Sequence, residues 1–143
     1  MEHEGIADEA VRSAKRWLVS AELNAGKGNY DSALYSLEMS VEIAMKAVLL
    51  SIGIDVPKSH RIGDVFTASV RDEKRLPEEF KRHVEECVDI FNALLELRAA
   101  GGYMFESKTT MDELRTEYER YRKDAENVVG LCAVAVHAAT SGS

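Results

Sequence analysis

Tyr30-Asp-Ser-Ala-Leu-Tyr-Ser-Leu-Glu-Met-Ser-Val-Glu-Ile-Ala-Met-Lys-Ala-Val-Leu-Leu-Ser-Ile-Gly-Ile-Asp-Val-Pro-Lys-Ser-His-Arg-Ile-Gly-Asp64 is the stretch that decides the fold, because it is too apolar for an ordinary surface helix. Ala33, Leu37, Val41, Ala44, Val48 and Ile52 recur at steps of three and four and form one buried stripe. Tyr35, Met39, Ile43, Ala47 and Leu50 form a second stripe beside it. A helix apolar on two sides is either central to a bundle or keeps one side for a partner. Glu38, Glu42 and Lys46 are spaced four apart with the acids N-terminal to the base, a pattern that supports the helix on its remaining polar strip. Gly53 is expected to end the helix and Pro57 to prevent a restart.

Outward from this stretch no strand-like alternation persists, so the fold class is all-α: an up-and-down helical bundle of four main helices plus one short helix. The first helix is expected from about Ile6 to Leu23, with Ala10, Ala14, Trp17, Leu18 and Ala21 inward, followed by a turn over Gly26 to Asn29. Lys58-Ser-His-Arg-Ile opens the short third helix, which runs through Val70. The fourth carries Pro77 in its first turn, where the missing N–H costs nothing. It runs to about Ala100, with Phe80, Val84, Cys87, Val88, Phe91, Leu94 and Leu95 inward, until Gly101-Gly102 breaks it. Thr110-Met-Asp-Glu113 is a capping box for the fifth, whose core line is Leu114, Tyr118, Tyr121, Ala125, Val128, Cys132, Ala135 and Ala139. Ser141 to Ser143 reads as a flexible tail, so residues 1–143 form one domain ordered over about 6–139. The first two helices superficially resemble a tetratricopeptide repeat, but no second copy follows.

A chain of 143 residues, 45% hydrophobic and 30% charged, can bury a real core and is not disordered. No apolar run reaches membrane-spanning length, and Met1-Glu-His-Glu-Gly lacks the order of a signal peptide, so a cytoplasmic protein with no membrane contact is expected. Cys87 and Cys132 sit in apolar helical patterns and read as small buried thiols. The net charge of −7 opposes non-specific nucleic-acid binding, so any RNA contact must come from a local positive site.

Leu97-Arg98-Ala99-Ala100-Gly101-Gly102-Tyr103-Met104-Phe105 is the sharpest candidate for such a site. Arg98 continues the inward line Val84, Val88, Phe91, Leu95 at the last turn of a helix. An arginine there needs a partner. It either pairs with an acid from another helix, such as Glu42 or Glu38, or holds a phosphate in bidentate fashion. Lys58, His60 and Arg61, at the expected start of the third helix, offer a second anion site, or else a cap with solvated neighbours. His83 and Cys87 lie four apart, but no further Cys/His pair stands near and Cys87 fits the core, so no metal is expected. There is no nucleophile elbow, P-loop or dinucleotide fingerprint, and no cofactor is expected.

The run from Gly28-Asn-Tyr-Asp through Pro57-Lys-Ser-His60 resembles the helical HEPN family of prokaryotes. A Tyr-x-x-Ala start, a Glu-x-Ala-x-Lys-Ala-like centre and a Gly-x-x-x-Pro-x-x-His exit recur in that family. Many members carry an Arg followed four to six residues later by a His, and the active ones are metal-independent ribonucleases. There the His acts on the attacking 2′-hydroxyl and the Arg holds the phosphate. In this chain Arg98 matches the Arg, Tyr103 stands in the place of the His, Phe105 where a Tyr often follows, and Ala99 where a polar residue often does. A histidine both takes and gives protons near neutral pH, whereas a free tyrosine, with a pKa of about 10, is a poor base there. The resemblance therefore implies phosphate or nucleotide contact for Arg98 and Tyr103, as candidate catalytic positions without a general base. It implies a domain that binds nucleotide, RNA phosphate or a partner protein and is catalytically weak or silent. The alternatives are a ribonuclease toxin held by a nucleotidyltransferase-type antitoxin, and a purely structural adaptor. The resemblance and the doubly apolar second helix both point to a homodimer, its cleft lined by Arg98 and Tyr103 of both chains with Lys58 and Arg61 outside.

Overall fold

The computed structural model describes residues 2–56 and 58–141, so Met1, Pro57, Gly142 and Ser143 lie outside the described residues, and with them the expected block to a helix restart at Pro57 and the end of the expected tail. All regular structure among them is helical: α1 Glu2–Gly26, α2 Tyr30–Ser51, α3 Gly63–Arg71, α4 Glu78–Lys81, α5 Val84–Gly102 and α6 Met111–Ser141. The chain is an all-α bundle with α2 at its centre, packed against α1, α3, α5 and α6. The central position takes up the first apolar stripe and part of the second, of which Tyr35 stays 40% exposed and Met39 half-buried. Ala33, Leu37, Val41, Ala44, Val48 and Ile52 are buried, and Ala47, Ile43 and Leu50 of the second stripe pack on the same core.

Small residues set the closest contact. Ala7, Ala14 and Ala21, one heptad apart on α1, are at most 1% exposed, and α2 in turn buries the small residues Ala33, Ser36 and Ser40. Small side chains let two helix axes approach closely, and a seven-residue repeat keeps the seam in register over the helix length. The serines cost little here: Ser36 Oγ shares a hydrogen bond with Ser20 Oγ at 3.0 Å, and Ser40 Oγ donates to the Leu37 carbonyl at 2.6 Å. Of the inward residues expected on α1, Ala14 and Ala21 are fully buried, while Ala10, Trp17 and Leu18 are half-buried at the edge of the seam.

Two glycines set the helix ends. Gly53 has φ +76°, and its N–H bonds to the Leu50 carbonyl while Ile54 N–H returns to Leu49, which is the Schellman closure of α2. Gly28, with φ +77°, closes α1 in the same way. Thr110 caps α6 as expected, its Oγ1 accepting the Glu113 N–H at 3.2 Å.

Three boundaries differ from the reading of the sequence. The third helix does not open at Lys58: α3 begins at Gly63, and residues 58–62 form a loop. His60 is drawn to Glu42 on α2, and the Arg61 N–H bonds to Ser59 Oγ at 3.0 Å, so a local turn takes the place of the first helical turn. The fourth helix is two helices, α4 and α5, parted at Arg82 and His83. Phe80 turns into the core from the short α4 to meet Phe66 of α3 edge-on, with ring centroids 6.1 Å apart. At the other end α5 is not broken by Gly101-Gly102 but runs through them. Gly101 is buried against the start of α2: a Cβ there would lie 3.6 Å from the Asp31 Cα. That approach brings the last turn of α5 alongside the first turns of α2.

Candidate functional site

The last turn of α5 places Arg98 beside the α2 residues Tyr35, Glu38 and Met39. Arg98 Nη1 donates to Glu38 Oε1 at 2.8 Å and touches Met39 Sδ at 3.8 Å. The guanidinium carbon stands 4.4 Å from the centroid of the Tyr35 ring, within range of a cation–π contact. Tyr35 is braced from behind by Trp17 of α1, edge-on at 6.0 Å. Only the Nη1 nitrogen of Arg98 is used in this way. Among the described residues Nε and Nη2 make no hydrogen bond, and the side chain keeps 20% of its surface exposed.

Glu38 and Glu42 lie on the polar strip that their spacing marked, but that strip is closed to solvent. They are 0% and 1% exposed. α5 and the loop before α3 cover the strip, and cations from both sides compensate the acids. Lys46 Nζ lies 2.9 Å from Glu42 Oε2, so the expected i, i+4 pair exists, but in the interior. His60 Nδ1 lies 2.8 Å from the other Glu42 oxygen, and Arg98 Nη1 4.0 Å from it.

The two carboxyls behave differently. Burial, and then the neighbouring Glu42, push Glu38 up from 4.5 to about 8 despite Arg98. Burial also raises Glu42, but hydrogen bonds with Glu38, His60 and Lys46 outweigh it and hold the group below 4.5. The pair is therefore one protonated acid beside one carboxylate. This accounts for Glu38 Oε2, which is buried without a partner when ionised but can donate a proton towards Glu42. At neutral pH the cluster then holds one carboxylate against the charges of Lys46 and Arg98, an excess of one positive charge. Donor atoms of Glu38, Glu42 and His60 lie within 4.8 Å of one another, close enough to hold a metal ion. Arg98 is paired with Glu38 Oε1 and Lys46 with Glu42 Oε2, so each acid already has a cation on one of its oxygens. The arrangement fits an ionic cluster better than a metal site.

A cleft of about 530 Å³ opens over the cluster, and Arg98, Tyr103, His60 and Arg61 all line it. Four of the five residues singled out in the sequence thus meet. Lys58, exposed in the loop, does not line the cleft, and no helix N-terminus underlies Lys58 to Arg61 because α3 starts at Gly63. His83 and Cys87 do not meet: the His83 nitrogens face Glu79 and Glu86 at the surface, and Cys87 is buried beside Cys132, whose thiol it pushes up together with burial. Tyr35 went unnoticed as a site residue, because an aromatic at helical spacing reads as core. The usable signal was two glutamates, Glu38 and Glu42, set into a helix with no room for a solvated face.

A family model, the HEPN domain, matches residues 7–135. The chain belongs to the HEPN family. The match covers both helices that line the cleft, α2 and α5, and agrees with the all-α bundle. No curated protein and no solved structure matches the chain. Family membership thus places Arg98 in a HEPN bundle, and the chemistry of the cleft has to be argued from the residues that line it.

Proposed function

We propose that the Arg98 end of this HEPN bundle binds a phosphate group of RNA or of a nucleotide. The carrying observation is the half-used guanidinium. Nη1 is committed to Glu38, while the Nε and Nη2 donors stay unpaired on a cleft wall. Two parallel N–H donors in one plane match two phosphate oxygens. The excess positive charge of the cluster favours an anion over a cation at this point. A cleft of about 530 Å³ is of the size that takes a nucleotide-sized group. Tyr103 caps α5 with 63% of its surface exposed in the same cleft, placed to stack on a base or donate a hydrogen bond. Its role in this reading is contact, not proton abstraction.

A purely structural Arg98 would need only its bond to Glu38. Arg98→Lys separates the two readings, since lysine keeps the charge toward Glu38 and loses the free edge. Titration of the protein with a short single-stranded RNA and with ATP at low salt should show binding weakened by ~10- to 100-fold in the variant, the range expected for lost charged hydrogen bonds. Equal affinity in both proteins, or binding by neither, rejects the phosphate site. A homodimer belongs to the same reading. Tyr103 and Phe105, 63% and 78% exposed at this end, are available to a second copy, and sedimentation of the full chain tests it. A nucleotidyltransferase-type partner rests on family membership alone.

A further inference from the structure

A second cleft, of about 410 Å³, shares Tyr35, Arg98 and Gly102 with the first and lies between the second half of α1 and the start of α2. Its free polar groups are mostly acceptors. Asp31, in the first turn of α2, lines it half-buried, and among the described residues its carboxylate makes no hydrogen bond or ion pair. Asn24 of α1 donates from its amide nitrogen to the Ser20 carbonyl at 3.0 Å and to Ser20 Oγ at 3.4 Å, which leaves its Oδ1 free. The Ser20 and Ser36 hydroxyls are spent on each other at 3.0 Å. Trp17 supplies an aromatic wall. A Cβ on Gly101 would come within 3.7 Å of the Asp31 Cβ, so the end of α5 fixes the backbone that carries this carboxylate. An acid in a first helical turn also suits the helix dipole, but a fully exposed acid serves the dipole equally well. The dipole does not ask for an unpaired carboxylate in a cleft.

We propose that this second cleft is a base pocket that selects guanine, read by Asp31, while Arg98 holds the phosphate of the same nucleotide. The inference rests on the phosphate reading above and names the nucleotide. An ionised carboxylate only accepts hydrogen bonds and repels phosphate, so the Asp31 cleft takes a neutral group with adjacent N–H donors. Guanine presents such an edge, with N1–H and the N2 amino group side by side, matched to two carboxylate oxygens. Adenine and cytosine set a ring-nitrogen acceptor beside their amino group, and that lone pair would face the carboxylate. Uracil sets its one N–H between two carbonyls. The Asn24 amide oxygen is a further acceptor on the same wall, and Trp17 gives the ring a surface to stack on. The charges are thus divided across Tyr35 and Arg98: the cation takes the phosphate, and the anion takes the base. Tyr103, which lines the first cleft only, is left to meet the ribose or a following base.

Titration of the full chain with GMP, IMP and AMP, and with a short oligouridine with and without a single guanine, tests this. The wild type should bind GMP about 10- to 100-fold more tightly than AMP, the range for hydrogen bonds to a charged group. IMP, which keeps N1–H and lacks the N2 amino group, should fall between them. Asp31→Asn, with one acceptor in place of two, should lose the preference for GMP while its affinity for AMP changes little. Thermal melting checks that the variant folds, and Asp31→Ser replaces it if it does not. A guanine preference among the mononucleotides alone points to a free nucleotide, one that extends to the oligouridine points to a guanine within RNA, and either supports the pocket. Equal binding of GMP and AMP, both weakened in Arg98→Lys, overturns the guanine pocket and leaves the phosphate site standing. So does an Asp31→Asn protein that keeps the guanine preference. Failure of the wild type to bind any of these ligands removes the phosphate site and this inference with it.

Discussion

At Glu38 two demands meet in one side chain: it must accept from Arg98 and also sit beside the Glu42 carboxylate. Protonation reconciles them and makes stability depend on pH. Glu38 titrates near 8 in the folded chain but at its ordinary 4.5 when unfolded. Between those values the folded state holds a proton that the unfolded state has released. The Glu38 contribution is therefore fully present below about 4.5, declines as the pH rises, and is lost above about 8. Glu42, held below 4.5, acts in the opposite direction and loses its contribution as the pH falls through its folded value. Glu38→Gln keeps an acceptor for Arg98 and a donor for Glu42 and cannot ionise. Chemical denaturation of the variant should show the decline between about pH 5 and about pH 8 flattened, with the variant the more stable protein at the alkaline end. A decline identical to that of the wild type would mean that Glu38 is ionised throughout. The pairing of Arg98 with Glu38 could be anticipated from the inward register of Arg98. The protonation of Glu38 could not, because spacing marks a polar strip but does not show that the fold buries both glutamates.

At the scale of elements, the helix ends were legible wherever a residue type enforces them. Gly53 and Gly28 both take positive φ, and Thr110 caps α6. Gly53→Ala should destabilise the protein by about 1–2 kcal/mol, since the backbone must stay left-handed there. Gly130→Ala, on the exposed face of α6 with nothing within 4 Å of a built Cβ, should stabilise it by about 0.5–1 kcal/mol. Thermal melts of the two variants should thus move in opposite directions. The parting of α4 from α5 was not legible, because neither Arg82 nor His83 is a helix breaker. The break follows from where Phe80 must pack, a tertiary demand with no local mark. The start of α3 was misplaced for a related reason: His60 is held by Glu42 from 18 residues earlier, and that contact outranks local helix propensity.

Over the whole molecule the field is acidic, with 25 acidic against 18 basic side chains. Nucleic acid bound here must be held by a few local contacts against a repulsive background. The affinity for a short single-stranded RNA should therefore fall only gently with salt, with a log–log slope of about −0.7 if Arg98 is the one phosphate contact and about −1.4 if Arg61 adds a second. A much steeper slope would mean a basic track that this surface does not offer. The all-α bundle and most of its core lines were readable because periodicity reports burial directly, and of the expected line Leu114, Tyr118, Tyr121, Ala125, Val128, Cys132, Ala135 and Ala139 on α6 all are buried except Tyr121, which is half-buried. The cleft was readable only in part. Arg98 and Tyr103 are neighbours in the chain, but Tyr35, Glu42 and His60 join them only through the central placement of α2.

The central claim, that the free edge of Arg98 receives a phosphate, is most directly tested by nitrogen-15 NMR of the arginine Nε–H groups, with Arg98 assigned from the signal lost in Arg98→Lys. On addition of a short single-stranded RNA, the Arg98 Nε–H resonance should shift and its exchange with water should slow. An unmoved Arg98 signal, with the RNA bound and other residues responding, would contradict the account and leave Arg98 as the partner of Glu38 alone.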